Sequence, residues 1–195
     1  MIALIDYGAG NLRSVANALD DLGMKYLVTD KSEEINSADK IIFPGVGEAT
    51  SAMDKLRAKN IVESIKNTKK PLLGICLGMQ LLGTFSEERA TKCLNVIVGI
   101  VKQFDSDRVK VPHMGWNKVE YKEANKLFNG INSGEHFYFA NSYYFPISEY
   151  TIASTNYDLM FSASINKNNF YGVQFHPEKS GEAGLKILRN FVSLC

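Results

Sequence analysis

Cysteine is scarce in this chain of 195 residues: Cys76, Cys93 and Cys195 are the only three. They are odd in number, far apart and never spaced as C-x-x-C, which argues against a disulfide framework and against a zinc site built on thiolates. No P-loop, no H-E-x-x-H pair and no internal repeat occurs. Charge of one sign is also missing. Lys and Arg number 22 against 21 Asp and Glu, a net +1, so no field draws the chain to nucleic acid or to an acidic membrane. The longest mostly apolar stretch, Leu72 to Phe85, runs to about 14 residues, short of the roughly 20 that span a bilayer. The start, Met1-Ile-Ala-Leu-Ile-Asp6, has no basic segment and meets an acid at once, so no signal peptide is expected and the cytoplasm is the expected compartment. A composition of 45% hydrophobic and 22% charged residues suits an ordinary globular protein, read as one domain over residues 1–195.

The first half alternates short apolar runs with helix-like stretches. Ile2–Ile5 predicts a buried strand, followed by Gly8-Ala-Gly10. A helix is expected from a cap at Asn11 to Gly23, with Leu12, Val15, Ala16, Leu19 and Leu22 at helical spacing. Further strands are expected at Tyr26–Thr29, Lys40–Phe43 and Pro71–Ile75, with helices over about Ala49–Ala58 and Ile61–Lys66. Strands separated by helices imply right-handed crossovers and a mainly parallel sheet covered on both faces. After about Leu94 the texture becomes strand-rich: Asn95–Gln103, Arg108–Val111, Phe137–Ala140, Thr151–Ser154, Met160–Ile165 and Tyr171–Phe175. His113 is read in a Pro-His-Met-Gly-Trp turn, and a final helix covers about Glu182–Leu194. The fold class is therefore α/β, an open mainly parallel sheet with helices on both faces and an antiparallel extension.

Gly74-Ile-Cys76-Leu-Gly78 is the sharpest local signal. It is the cysteine form of a nucleophile elbow, in which a strand turns sharply into a helix. Glycines two residues to either side remove the Cβ atoms that block so tight a turn. The thiol is lifted out at the carboxyl end of the strand, where open α/β sheets place ligands, and the helix N-terminus favours the nucleophilic sulfur anion there. His176 follows the apolar run Tyr171–Phe175 and precedes Pro177-Glu178. The proline stiffens the link, so a carboxylate two residues on can orient the imidazole, the third role in a catalytic triad. Cys76, His176 and Glu178 are the expected catalytic residues. The backbone N–H of Leu77 is one candidate oxyanion donor, and Pro44-Gly45-Val-Gly47 is the candidate source of a second. Gly8-Ala-Gly10 with Asp30 imitates a dinucleotide fingerprint, but Arg13 stands where the third glycine belongs. No cofactor and no metal are expected.

The segments Gly74-Ile-Cys-Leu-Gly-Met-Gln80, Pro44-Gly-Val-Gly47 and Gln174-Phe-His-Pro-Glu178 together resemble the class I glutamine amidotransferases, over nearly the whole chain. Asp6-Tyr-Gly-Ala-Gly-Asn11, Val111-Pro-His-Met-Gly-Trp-Asn117 and Tyr138-Phe-Ala-Asn-Ser-Tyr-Tyr144 narrow the likeness. They resemble the branch of glutaminase subunits serving imidazole glycerol phosphate formation in histidine biosynthesis. The resemblance implies that Cys76 attacks the side-chain amide of glutamine while His176, oriented by Glu178, moves the protons. It implies that Gln80 and the Ser142-Tyr143-Tyr144 stretch hold the glutamine. It further implies a heterodimer with a cyclase subunit of (β/α)8-barrel fold that receives the ammonia, with Gly8–Asn11 and Met114–Asn117 facing that partner. For Trp116 core packing is the competing reading. Asn141 stands where the family usually has histidine; an amide hydrogen-bonds but does not titrate near neutrality. Two other readings stay open, a related subunit delivering ammonia to a different synthase and a self-contained hydrolase of γ-glutamyl compounds. A scaffold with a vestigial triad is disfavoured by the intact triad and elbow glycines.

Overall fold

The structure is a computed structural model and describes residues 1–8, 11–121 and 123–195. The first half runs β1 (Ile2–Ile5), α1 (Leu12–Asp21), β2 (Tyr26–Thr29), α2 (Ser32–Ser37), β3 (Lys40–Gly45), α3 (Ala49–Ala58), α4 (Val62–Lys66) and β4 (Leu72–Cys76), and α5 (Leu77–Leu81) follows without a break. The second half adds β5 (Phe85–Ser86), β6 (Thr91–Lys92), β7 (Ile100–Gln103), β8 (His113–Val119), β9 (Glu135–Asn141), β10 (Tyr143–Tyr144), β11 (Thr151–Tyr157), β12 (Leu159–Lys167) and β13 (Phe170–Val173). It closes with α6 (Gly181–Leu194).

The main sheet has the order β11-β12-β13-β4-β3-β1-β2. From β13 to β2 every pairing is parallel, whereas β11 and β12 extend the sheet antiparallel. This is the α/β class expected. Burial on both faces explains why β1, β3 and β4 read as unbroken apolar runs. Ile2 and Leu4 pack with Val15 and Leu19 of α1 and Phe191 of α6 on one face, while Ala3 and Ile5 pack with Met53, Leu56 and Ile65 on the other. Burying each such side chain is worth about 1.5–3 kcal/mol. The end of α6 is tied down by Lys40, whose Nζ donates to the carbonyls of Phe191 at 3.0 Å and Cys195 at 2.8 Å. Among the described residues no helix is long and apolar enough to cross a membrane.

Several sequence-based expectations are corrected. Arg108–Val111 is not a strand, because the Asp105 side chain accepts from the Asp107 N–H at 2.9 Å and its carbonyl accepts from Arg108 and Val109 at 3.1 Å. An aspartate that closes its own turn in this way wins over a short β-branched run. Of Asn95–Gln103 only Ile100–Gln103 is strand; the earlier part wraps the end of α5, with Val96 and Ile97 both donating to the Leu82 carbonyl at 2.9 Å. β13 stops at Val173, short of Phe175. The short helix α2 carries no sequence signal; Ile35 is its one buried residue, too little for a periodic pattern.

His113 opens β8 and does not lie in a turn. Its ring is 4% exposed and stacks on Tyr157 and Phe139, with centroids 4.1 and 5.0 Å away. Burial lowers its pKa to about 4, a shift that the nearby Asn141 amide only partly offsets. The unfolded chain therefore takes up a proton between pH 6.5 and about 4 that the folded chain refuses, so stability should fall with pH across that window. His113→Phe keeps the stack and removes the titration. Denaturant unfolding at about pH 7 and about pH 4.5, on either side of an ordinary histidine pKa, should show a smaller loss for the variant than for the native chain; equal losses would refute the assignment.

Candidate active site

The elbow is built by close backbone approach. Cys76 ends β4 with φ 54 and ψ −111, a strained conformation for a side-chain-bearing residue. A Cβ on Gly74 would come within 2.7 Å of the Gly78 carbonyl and the Met79 N–H. On Gly78 a Cβ would fall inside the Phe43 carbonyl oxygen. Both positions must be glycine for the strand to turn at once into α5 while lying against β3. The turn leaves Cys76 6% exposed, with its sulfur 3.6 Å from the Gln174 Nε2 donor and 4.0 Å from the Ala140 carbonyl.

His176 and Glu178 arrive from the far side of the same strand ends. The turn Pro177–Lys179 follows β13, and the His176 N–H donates to the Tyr138 carbonyl of β9 at 2.8 Å. Ser180 Oγ locks that turn by donating to the His176 carbonyl at 2.6 Å. Nδ1 of His176 lies 2.8 Å from Glu178 Oε1, and both side chains are essentially buried. Burial alone favours the neutral ring, but the neighbouring Cys76 sulfur and Glu178 carboxylate outweigh it and raise the His176 pKa to about 10. Asn11 adds a contact that its sequence position concealed. It stands at the start of α1 with φ 76 and does not cap the helix with its side chain; its Nδ2 donates to Glu178 Oε1.

The three expected catalytic residues are thus brought together, and a pocket of about 140 Å³ opens on Cys76. Its wall includes Val46, Gly47, Leu77, Gln80, Asn141, Ser142 and Tyr143. Gly47 holds φ 97, a conformation glycine adopts freely, and Gly45 pairs with Cys76 in the β3–β4 register. Gln80 faces the pocket with its amide committed, since Nε2 donates at 2.9 Å to both the Tyr143 carbonyl and Gln174 Oε1. Asn141 Nδ2 donates to the same Tyr143 carbonyl at 2.9 Å, so Asn141 braces the wall. Sequence reasoning missed Glu88, which also lines the pocket. Its Oε2 accepts from the Ala49 N–H at 2.7 Å, and burial raises its pKa.

Trp116 is 57% exposed and Met114 65%, which overturns the core reading of Trp116. Trp116 lies edge-on to Tyr138 at 6.2 Å, and Lys179 sits 5.8 Å over the other ring, beside the triad turn. Of the expected partner-facing Gly8–Asn11 segment, Ala9 and Gly10 lie outside the described residues. So does the middle of the Gly8-Ala-Gly10 imitation of a dinucleotide loop, while Asp30 is paired with Lys59 Nζ at 2.5 Å.

An α/β sheet carrying a cysteine elbow beside a buried His–Glu pair has the layout of a glutamine amidotransferase. The class I glutamine amidotransferase model matches residues 3–195, and the chain belongs to that family. The relatives point to one branch. The chain is 49% identical over 195 residues to the imidazole glycerol phosphate synthase subunit HisH of Bacteroides thetaiotaomicron, covering 99% of each. It is 44% identical over 199 residues to the HisH subunit of Vibrio cholerae, covering 99% of this chain and 98% of that one. Among solved structures, a glutamine amidotransferase from Thermotoga maritima aligns with a TM-score of 0.66 at 15% identity, over 98% of this chain and 81% of that one. At that identity it speaks for the fold alone.

Proposed function

We propose that this chain is a single glutaminase domain that hydrolyses glutamine to glutamate and ammonia in the cytoplasm. The ammonia passes to a (β/α)8-barrel cyclase subunit that makes imidazole glycerol phosphate and aminoimidazole carboxamide ribotide in histidine biosynthesis. The observation that carries the chemistry is the buried His176–Glu178 pair set beside the strained Cys76. The acceptor is argued from the near-full-length relatives bearing that synthase's name.

In the reaction, the Cys76 sulfur attacks the side-chain carbonyl carbon of glutamine, and the C–O pair moves to an oxyanion facing the Leu77 N–H and the Gly45–Gly47 segment at the end of β3. The carbonyl re-forms, the C–N bond breaks, and the His176 proton goes to the departing nitrogen, giving ammonia and a γ-glutamyl thioester. Acylation removes the sulfur's charge, which is part of what holds the proton on His176. Burial then pulls the imidazole toward its neutral form, ready to take a proton from water. Water attacks the thioester, the C–S bond breaks, and glutamate leaves. Gln80, Ser142 and Tyr143 shape the wall against the substrate. The Glu88 carboxylate is the acidic side chain on that wall, complementary to the glutamine ammonium group. A pocket of about 140 Å³ lies below the roughly 300–1,000 Å³ of drug-sized sites and suits one amino acid. The exposed Met114 and Trp116, next to Tyr138 and the triad turn, fit a protein partner docking on that face.

The test is glutamate release, measured with the chain alone and with the barrel cyclase plus its nucleotide ligand. Low activity alone and strong activation in the mixture are expected. Full activity alone, indifferent to the cyclase, would move the assignment to a self-contained hydrolase or another acceptor.

A further inference from the structure

Tyr7 is a buried polar group that the proposed mechanism leaves unused. It follows β1, is 1% exposed, and packs its ring against Phe43 of β3 with centroids 5.5 Å apart. Its hydroxyl finds no hydrogen-bond partner among the described residues, although buried tyrosine hydroxyls ordinarily have one. The place of that hydroxyl is specific. A Cβ built on Gly45 would lie 2.6 Å from it and 2.8 Å from the Gly78 nitrogen. Gly45 is the residue paired with Cys76, and Gly78 is the second elbow glycine. The orphan donor therefore sits over the backbone that joins the candidate oxyanion strand to the nucleophile. Burial, reinforced by the charge on Cys76, keeps the phenol protonated and so a donor.

We propose that Tyr7 is a positioning residue for the oxyanion strand: in the reacting state its hydroxyl donates to a backbone carbonyl of the Gly45–Gly47 segment. In a planar trans peptide the C=O and N–H point in opposite directions. Fixing a carbonyl on the Tyr7 side therefore turns the N–H of the same peptide toward the pocket, where Val46 and Gly47 form the wall. An unpartnered hydroxyl destabilises the resting state, and a bond gained only in the reacting state lowers the barrier without tightening substrate binding. The inference rests on the glutaminase reading above, because it needs an oxyanion to form at Cys76.

Tyr7→Phe tests it, in the complex with the barrel cyclase and its nucleotide ligand, with Cys76→Ala as the blank. We expect kcat for glutamate release to fall about ten-fold, less than the roughly 10²–10³-fold loss of a direct oxyanion donor. KM should stay within about twofold, and Tm should equal or exceed that of the native chain, since the variant loses an unpartnered group. An unchanged kcat overturns the proposal, and so does a rise in KM alone. A fall in Tm, or failure to fold, overturns it as well, because the hydroxyl would then support the resting structure. Native activity no higher than the blank would instead defeat the glutaminase reading, and this inference with it.

Discussion

Replacing Cys76 by alanine is expected to reduce glutamine hydrolysis by at least about 10³-fold, since removing the nucleophile of a triad leaves only binding and oxyanion contributions. The loss should fall on kcat. Gln80, Glu88, Ser142 and Tyr143 remain on the pocket wall, so glutamine should still bind. Met114 and Trp116 are separate from the sulfur, so the variant should still assemble with a cyclase. Supplying ammonium salt at raised pH should then restore the cyclase reaction while glutamate release stays at background. Glutamate release within about tenfold of the native rate would show that Cys76 is not the nucleophile. Stability gives an independent reading of the same residue. Cys76 holds φ 54 and ψ −111, strain of about 1–3 kcal/mol for any residue with a Cβ. Alanine inherits that strain and should melt near the native temperature. Cys76→Gly relieves it and should melt higher than the alanine variant while being equally inactive.

The candidate triad was legible because each of its residues lies inside a short segment whose chemistry is local. The elbow needs only a strand, a cysteine and two glycines, and the His176–Glu178 contact spans a single proline. The walls of the site were less legible because they depend on distant pairings. Glu88 reaches the pocket from the turn after β5, and Asn11 meets Glu178 across 167 residues. A side chain at the head of a helix reads as a cap until another partner offers a better bond, here a buried carboxylate. His113 shows the opposite failure. Its flanking proline and glycine signal a turn, yet stacking on Tyr157 and Phe139 carries it into a strand. For Trp116 core packing competed with a partner-facing position, and its exposure on the two-stranded β8–β9 sheet removes the core reading.

Gly78→Ala should be among the most damaging small substitutions in the fold. The added Cβ meets the Phe43 carbonyl oxygen, with the Phe43 carbonyl carbon at 3.0 Å and the Pro44 carbonyl carbon at 3.5 Å. These are backbone atoms of a central strand and cannot swing aside as a flexible side chain does. Either α5 lifts or the end of β3 moves, and both carry the site, because Gly45 of β3 pairs with Cys76. Overpacking of this kind costs about 3 kcal/mol or more, which for a chain of this size lowers Tm by about 6–12 °C. Activity should fall beyond what the lost stability explains, since the Gly47 and Leu77 backbone moves relative to the sulfur. Gly134→Ala separates crowding from backbone strain. That glycine has φ 91 and nothing within 4 Å of an added Cβ, so its cost is conformational, about 1–2 kcal/mol, and its activity should be native. If both variants melt alike and both keep activity, the elbow does not lie against β3 as closely as its glycines indicate. If Gly78→Ala alone loses stability and turnover together, the contact between α5 and the end of β3 is what sets the oxyanion backbone against the nucleophile.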